Sequence, residues 1–463
     1  MFLGMPAGRW WILLFSRLWL NAGVRLAYPF LPTIARGLGL SMEQAGFLVA
    51  VRSFVGLLSI LFGLLTEKKG EKLGLLLGLF FLAIGGLCIG SRASYAWVLI
   101  GFIFTGLAHA AYNPSVQSYV SAHVPYALRA RALGFLESSW SASWFVGMPL
   151  GGFLIAHYGW HVPYVAVGVM GIFLLLLTAR MPAAPQSHPE IFHSSRASCA
   201  AQKSAPSRNI TPATLKASCP VRSHESIPES ADLRFTSLSD KTPANLEKSP
   251  LSDQVPASQN STASKVLAVV SHPRLWPALC VTFFALLANE SLMIVYGAWV
   301  EFRFSVGIGS LGLLSTGIGI MELAAELSVA LVVDRLGKKR ALAAGLLGAS
   351  ACYAALFIAQ SSLALSVVVF GGIAYFFEFT VVSSFPYMSE IDPNARKRWL
   401  SANYSLMVAG RVIGALVGPW LWEHTHTLQG HMSLSFLATM VALVFLRLAP
   451  NPDSRTRKES IQP

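Results

Sequence analysis

The chain alternates between long apolar runs and short polar connections, a pattern typical of membrane-spanning helices. A run of about 20 apolar residues is long enough to cross the hydrocarbon core of a bilayer. Twelve such runs occur, at residues 11–35, 43–65, 74–92, 96–120, 133–157, 162–180, 276–300, 310–333, 341–360, 363–388, 399–422 and 432–448. The pattern therefore predicts an all-α membrane protein with twelve transmembrane helices, which we number span 1 to span 12.

Composition supports this interpretation and excludes an ordinary soluble domain. Hydrophobic residues make up 54% of the chain and charged residues 12%, whereas soluble domains contain about 25% charged residues. A signal peptide is the alternative for the first run, but that run contains Arg17 and Arg25 and has no clear small-residue cleavage site. Eleven similar runs follow it, so we interpret it as a retained span.

A long polar segment separates the first six spans from the last six. Residues 181–272 are rich in Ser, Pro, Ala and Thr and carry charges of both signs. Such a segment cannot bury enough apolar surface to offset its ordering entropy, so we predict disorder; a regulatory docking segment is the alternative. The predicted organisation is an N-terminal half at 1–180, this cytoplasmic linker at 181–272, a C-terminal half at 273–448 and a cytoplasmic tail at 449–463.

The two halves share a charged hinge, which indicates an internal repeat. The stretch "GLLTEKKGEK" between spans 2 and 3 has a counterpart, "ALVVDRLGKK", between spans 8 and 9, and Gly70 of the first corresponds to Gly337 of the second. Gly70 and Gly337 are 267 positions apart, and an offset of 268 positions pairs Asn21 with Asn289 and Tyr28 with Tyr296. Two parallel six-helix repeats around a central axis are a known transporter architecture.

These hinges resemble the signature of the major facilitator superfamily, Gly-x-x-x-Asp-Arg/Lys-x-Gly-Arg-Lys/Arg. The matching or corresponding positions are Gly63, Glu67, Lys68, Gly70 and Lys72 in the first copy and Asp334, Arg335, Gly337 and Lys338 in the second. Departures are Glu67 for Asp, Glu71 for the first basic residue and Ala330 for Gly. The resemblance implies the major facilitator fold of twelve helices, covering the whole chain except the linker and tail.

Two further stretches bear on proton coupling. "GMPLGGFLIAHYGWHVPY" resembles the span 5 signature associated with antiporters, through Gly147, Pro149, Gly151 and Gly152. In span 4, "FIFTG" places Phe102 and Thr105 where the family pattern Arg-x-x-Gln-Gly has Arg and Gln. The resemblance therefore implies an antiporter of the efflux branch, but one that lacks the expected span 4 arginine.

The hinge residues also have a direct physical interpretation. We expect Gly70 and Gly337 to adopt backbone angles closed to other residues, because a short loop must turn there. We expect Gly63 to be required only for close packing. The acid can accept hydrogen bonds from a helix N-terminus or pair with a basic neighbour, and each hinge can then latch one face of the bundle. The alternative is that the charges only determine topology.

Charged residues within spans are functional candidates, since each costs at least about 2.5–3.5 kcal/mol on insertion scales. The family map puts spans 1, 4, 7 and 10 around a central cavity, which implies substrate or proton contacts for Arg25, Asn113, Glu290, Tyr296 and Glu378. It puts spans 2, 5, 8 and 11 along the seam between halves, with Arg52, Glu322, Glu326 and Arg411. Facing arginines repel, so we expect an acid on Arg52 or Arg411.

Glu322 and Glu326 are separated by one helical turn and therefore share one helix face. Two carboxylates this close do not both ionise cheaply in a low dielectric, so one is expected to be neutral unless a cation lies between them. A neutral carboxyl suits a proton carrier, whose charge would change with the distance to Arg52 or Arg411. A static ion pair with an arginine of a neighbouring span is the alternative.

Basic residues indicate the orientation. If both termini are cytoplasmic, the inner segments hold most of the Lys and Arg outside the spans, while the outer loops hold Arg36, Arg92 and Arg303. The net charge of +13 is then mainly topological, and nucleic-acid binding is disfavoured. We predict an integral protein of the cytoplasmic membrane, in contact with lipid and monomeric.

No cofactor, metal or enzyme motif emerges. The five cysteines have neither metal nor disulfide spacing, and the "EHTH" cluster at 423–426, predicted to lie in the last outer loop, lacks further ligands. His109 is expected to be a hydrogen-bonded packing residue. We predict a secondary transporter that moves a small molecule by alternating access, as proton-coupled efflux. The alternatives are proton-coupled uptake of an organic anion or metabolite and a non-transporting membrane sensor.

Overall fold

The computed structural model describes residues 5–182, 275–392 and 396–452. The fold is all-α, as predicted. The predicted linker lies outside these residues except for Met181 and Pro182, and the predicted tail lies outside them beyond residue 452. Both therefore stay predictions.

Twelve spans follow one another through the described chain. Ten of them are long and apolar enough to cross a bilayer. Span 1 falls short because Arg17, Asn21 and Arg25 lower its mean hydropathy, and span 5 because serines and tryptophans dilute its apolar residues. Spans 1 to 6 are Ala7–Arg25 with Ala27–Leu38, Met42–Val55 with Ser59–Lys69, Glu71–Ser91, Tyr95–His123, Ser139–Tyr158 and Val162–Ala179, and the helix Tyr126–Glu137 precedes span 5. Spans 7 to 12 are Trp276–Met293 with Tyr296–Phe304, Ile308–Leu336, Lys338–Ala359, Leu363–Ile391, Arg396–Thr425 and Gln429–Leu448.

The internal repeat is visible in the backbone. Span 1 breaks at Leu26, and span 7 breaks at Ile294, the position that corresponds to Leu26 under the offset pairing Tyr28 with Tyr296. Pro29 accounts for the first break, since its ring removes a donor and clashes with the carbonyl four positions earlier. Gly70 and Gly337 both have positive φ, at 91° and 89°. The prediction that these two glycines adopt angles closed to other residues is confirmed.

Glycines of spans 5 and 11 allow equivalent close approaches in the two halves. A Cβ on Gly147 would lie 2.7 Å from the Cβ of Ala22, and a Cβ on Gly414 would lie 2.7 Å from the Cβ of Glu290. Ala22 and Glu290 are themselves equivalent positions of the internal repeat. The predicted span 5 motif therefore packs on span 1, and its counterpart in span 11 packs on span 7.

The halves meet along spans 5 and 8 and along spans 2 and 11, as the family map implied. Gly152 of span 5 approaches span 8 so closely that a Cβ would lie 3.0 Å from the carbonyl of Ile308. Gly46 of span 2 would place a Cβ 2.7 Å from the carbonyl of Ala415 in span 11. The seam is therefore tightly packed, backbone against backbone.

One side of the bundle is closed by contacts between the halves. We call the side that carries Ala7 and Leu448 the terminal side and the opposite side the far side. At the far side Arg36 forms two hydrogen bonds with Glu301, of 2.7 and 3.1 Å, and the backbone N–H of Met42 donates to Glu423 at 3.0 Å. Spans 1 and 7, and spans 2 and 11, are thereby joined at the far side.

The "EHTH" residues do not form the predicted loop. Span 11 continues through them to Thr425, so Glu423 and His424 lie on its last turn. His424 faces Glu43 at 3.5 Å, and the buried His431 contacts the carbonyl of Gly418 at 2.8 Å. Within the described residues no group of three potential ligands is arranged to hold a metal ion.

Both hinges are tethered within their own halves. Lys72 donates to the carbonyl of Ala179 at 2.8 Å, and Lys338 pairs with Glu390 at 2.5 Å. Asp334 and Arg335 are exposed. The predicted packing role of Gly63 is wrong, since a Cβ there would meet nothing within 4 Å.

Candidate functional site

A layer of buried charge crosses the middle of the bundle, where the two halves meet. Its arginines and acids are those predicted from the sequence, namely Arg25, Arg52, Glu290, Glu322, Glu326, Glu378 and Arg411. Since charges at this depth are expensive, their partners decide what the layer can do. The partners divide it into two clusters.

The first, the acidic cluster, consists of Arg25, Glu322, Glu326 and Glu378. Arg25 donates two hydrogen bonds to Glu322, of 3.0 and 2.6 Å, and the side chains are only 3% and 8% exposed. Glu326 accepts from the Ser141 hydroxyl at 2.7 Å. Among the described residues neither Glu326 nor Glu378 has an ion-pair partner. Of the three carboxyl groups, only that of Glu322 is therefore paired with the arginine.

The Arg25–Glu322 pair bears on two predictions, namely which arginine lies near Glu322 and whether the acids of span 8 form an ion pair. The partner of Glu322 is Arg25 of span 1, not Arg52 or Arg411. The alternative of an ion pair with an arginine of another span is confirmed for Glu322, while Glu326 contacts a serine of span 5. Although they lie on one helix face, the two acids thus have different surroundings.

Aromatic side chains line the same arginine. The guanidinium of Arg25 lies 3.9 Å from the ring centroid of Trp140 and 4.8 Å from that of Trp144. Such cation–π contacts contribute about 2 kcal/mol when desolvated. They hold the guanidinium where it meets Glu322, so the pair is well fixed across the two halves.

The second, the basic cluster, consists of Tyr28, Arg52, Glu290 and Arg411. Tyr28 donates to Glu290 at 2.9 Å, and Arg411 pairs with the other oxygen of Glu290 at 3.5 Å. The expectation that Arg52 or Arg411 holds an acid is confirmed for Arg411. Arg52 donates to the carbonyl of Val24 at 2.7 Å and, in the described part of the chain, forms no ion pair. Of the two arginines, only Arg411 is therefore paired with the carboxyl group.

A third group, of neutral polar residues, lies beside these clusters in the N-terminal half. His109 contacts Asn21 at 3.3 Å and Asn113 at 2.8 Å, and its ring lies 6.1 Å from that of Trp140. The expectation that His109 is a hydrogen-bonded residue is met. Asn113, a predicted substrate contact, has a buried Oδ1 with no hydrogen-bond partner among the described residues.

Tyr296 does not reach either cluster in this conformation. It is 1% exposed and packs edge to face on Phe370, with ring centroids 4.9 Å apart. Its predicted contact with substrate stays a prediction.

Sequence reasoning missed two functional connections. It used Tyr28 only as the repeat partner of Tyr296, whereas the hydroxyl of Tyr28 links span 1 to Glu290 of span 7. It gave no role to Ser141, because a serine between tryptophans at the start of a span is too common a pattern to indicate a contact with Glu326. Both connections join the two halves.

Comparison with known proteins identifies the fold. A family model described as Major Facilitator Superfamily matches residues 13–386 and 278–462. Among solved structures, a D-xylose-proton symporter superposes with a TM-score of 0.68, covering 96% of this chain and 98% of the other. At 13% identity this likeness concerns the fold alone.

Curated relatives include proteins named for uptake and for resistance. The chain is 24% identical over 152 residues to the niacin transporter NiaP of Acinetobacter baylyi and 27% identical over 173 residues to multidrug resistance protein 1 of Bacillus subtilis. These segments cover 32% and 36% of this chain and 34% and 44% of the relatives, less than half of each. With the family model matching most of the chain, this protein belongs to the Major Facilitator Superfamily, whose members are transporters of small molecules.

Proposed function

We propose that this transporter is a proton-coupled antiporter that exports a small molecule across the cytoplasmic membrane. The observation that carries the proposal is the acidic cluster, in which Glu322 pairs with Arg25 at the boundary between the halves while Glu326 and Glu378 have no ion-pair partner among the described residues. Buried carboxylates without a cationic partner are costly, and a bound proton removes that cost. Proton binding to the unpaired carboxylates of the cluster is therefore energetically favourable.

The position of the cluster couples protonation to alternating access. Glu322, on span 8, is held by Arg25 of span 1, and Glu326 is held by Ser141 of span 5. When the halves move apart these bonds break, and the acids exchange partners or protons. A proton taken up on one side is then released on the other, which drives substrate movement in the opposite direction.

Two features support export. The glycines of the span 5 motif, typical of antiporters, make the close contacts on span 1 and span 8 described above, and one relative is named as a multidrug resistance protein.

Basic residues such as Arg131, Arg335 and Lys338 lie at the terminal side, so the positive-inside rule favours cytoplasmic termini. The closed far side would then face the exterior.

Uptake of an organic anion is the second candidate, and one observation favours it. Arg52 is buried and has no acid partner among the described residues, so an incoming anion would find an unpaired positive charge. If the protein works in uptake, deletion of its gene should cause a growth defect on a nutrient. Export predicts increased sensitivity to a toxic amphiphile instead.

Proteoliposomes with an imposed pH gradient test the coupling. The probes are ethidium as an organic cation and nicotinate as an organic anion, and both gradient-driven accumulation and gradient-free exchange are measured. We expect at least one of Glu322→Gln, Glu326→Gln and Glu378→Gln to lose accumulation at least tenfold while keeping exchange. Glu43→Gln, at the exposed start of span 2, is the matched control. Full coupling in all three variants would refute the proposed role of the cluster.

A further inference from the structure

Charge is divided unevenly between the two clusters. The acidic cluster contains three carboxyl groups and one arginine, of which only Glu322 and Arg25 form an ion pair, while the basic cluster contains two arginines and one carboxyl group, of which only Arg411 and Glu290 do. A single mixed network would spread its charges evenly. The observed separation allows one cluster to handle protons and the other to handle a ligand of negative charge.

The guanidinium of Arg52 is available to such a ligand. One of its terminal nitrogens donates to the Val24 carbonyl at 2.7 Å, which fixes the guanidinium without neutralising it. Its Cζ lies 5.8 Å from the ring centroid of Tyr28 and 5.6 Å from that of Phe102. Phe102 stands where the family pattern has an arginine, so the neighbour of Arg52 at this position is an apolar ring and not a second positive charge.

Arg411 approaches the same place from the opposite half. Its side chain is 31% exposed although it lies at mid-span, whereas Glu290 beside it is 3% exposed. The guanidinium lies within electrostatic range of Tyr28, Glu290, Tyr404 and Glu378, which places it among residues of both halves. Its contact with Glu290 is through Nε, at 3.5 Å, which leaves its terminal nitrogens without an ion-pair partner among the described residues and ready for a ligand.

We propose that Arg52 and Arg411 form the binding site for a substrate that carries a carboxylate on an aromatic ring. A planar guanidinium binds a carboxylate through two parallel hydrogen bonds. The rings of Tyr28 and Phe102 are placed to contact the aromatic part of the substrate. This inference rests on the proposed function, since it names the substrate class of the exporter.

The site also explains how substrate binding reaches the other half. Arg52 belongs to span 2 and Arg411 to span 11, and a carboxylate between them connects the halves across the seam. Its negative charge lies beside that of Glu290, which is held by Arg411 and by Tyr28 of span 1. Substrate binding therefore adds repulsion at a contact that joins spans 1, 7 and 11.

Binding to the purified full-length protein in lipid nanodiscs tests the site without any gradient. The probes are nicotinate and benzoate, each compared with its neutral amide, and affinity is measured from tryptophan fluorescence and from the shift in melting temperature. We expect the carboxylates to bind at least tenfold more tightly than the amides. Arg52→Gln and Arg411→Gln are expected to reduce carboxylate affinity at least tenfold, with Arg303→Gln, an exposed arginine, unchanged.

Lysine variants distinguish a loss of carboxylate binding from a loss of folding. Arg52→Lys and Arg411→Lys keep the charge but not the two-pronged geometry, so we expect intermediate carboxylate affinity. Absence of carboxylate binding to the wild-type protein, equal binding of the amides, or full affinity in all four variants would overturn the inference. Carboxylate binding without gradient-driven transport would instead contradict the proposed function and leave this site standing.

Discussion

Closure of the far side depends on a glycine that meets its own repeat partner. Gly297 of span 7 and Pro29 of span 1 are equivalent positions of the internal repeat, each directly after a paired tyrosine, and they touch where the two spans cross. A Cβ on Gly297 would lie 1.9 Å from the carbonyl oxygen of Pro29. That obstacle is backbone, so it cannot rotate away as a side chain would.

Gly297→Ala is therefore expected to open the far side. The contact must widen from 1.9 Å to at least the 3.0 Å that real Cβ atoms respect, and overpacking of this kind costs typically about 1–3 kcal/mol. At about 1.4 kcal/mol per tenfold change, the far-side-closed state loses roughly 5- to 140-fold in population relative to the open state. The variant should still fold, because the open state does not contain the clash.

Labelling of a reporter cysteine measures the shift. Thr33→Cys, one turn from Arg36 in span 1, is introduced after the five native cysteines have been replaced by serine, and a membrane-impermeant maleimide is added at the far side. Gly309→Ala is the matched control, since a Cβ on Gly309 meets nothing within 4 Å. If Gly297→Ala labels no faster than Gly309→Ala, the argument from the Gly297–Pro29 contact is wrong.

Three further outcomes are expected. Gly70→Val should reduce transport at least tenfold at equal expression, whereas Gly63→Ala should not, because only Gly70 has positive φ; equal activities would remove the hinge argument. Arg25→Met should destabilise the protein by about 3–5 kcal/mol and Glu322→Gln by less, since the remaining guanidinium keeps its contacts with tryptophan rings, and thermal inactivation rates measure the difference. Replacing residues 183–260 by a flexible linker of about 30 residues should leave membrane insertion intact, as tested by expression and gel filtration.

The sequence was sufficient for the architecture because the determining signals are local. Twelve apolar runs, a turn at Gly70 and the offset between the halves each depend on neighbouring residues or on simple repetition. The seam followed from the family map. The break at Leu26 is also a local effect, since Pro29 follows it within one turn, although its counterpart at Ile294 has no proline to mark it.

Partners within the charge layer depend on information that the sequence does not display. Helical periodicity places Glu322 and Glu326 on one face, but the depth and rotation of span 1 decide that Arg25 reaches Glu322 and that Tyr28 reaches Glu290. Those quantities are set by the close glycine contacts of Gly147 and its neighbours, which act between helices far apart in sequence. The same limitation led to the wrong packing role for Gly63.

Separate clusters for protons and for an anion also bear on the direction of transport. Export of an anion in exchange for an entering proton moves two positive charges inward per cycle, and each is driven by about 2.3 kcal/mol at 100 mV, inside negative. Together they supply about 4.6 kcal/mol, enough for a roughly 2,000-fold concentration ratio at about 1.4 kcal/mol per tenfold. Uptake of the same anion with one proton is electroneutral and gains nothing from the potential. If Arg52 and Arg411 bind the anion and the acidic cluster binds the proton, as we propose, exchange of the two therefore gains a driving force that uptake with one proton lacks.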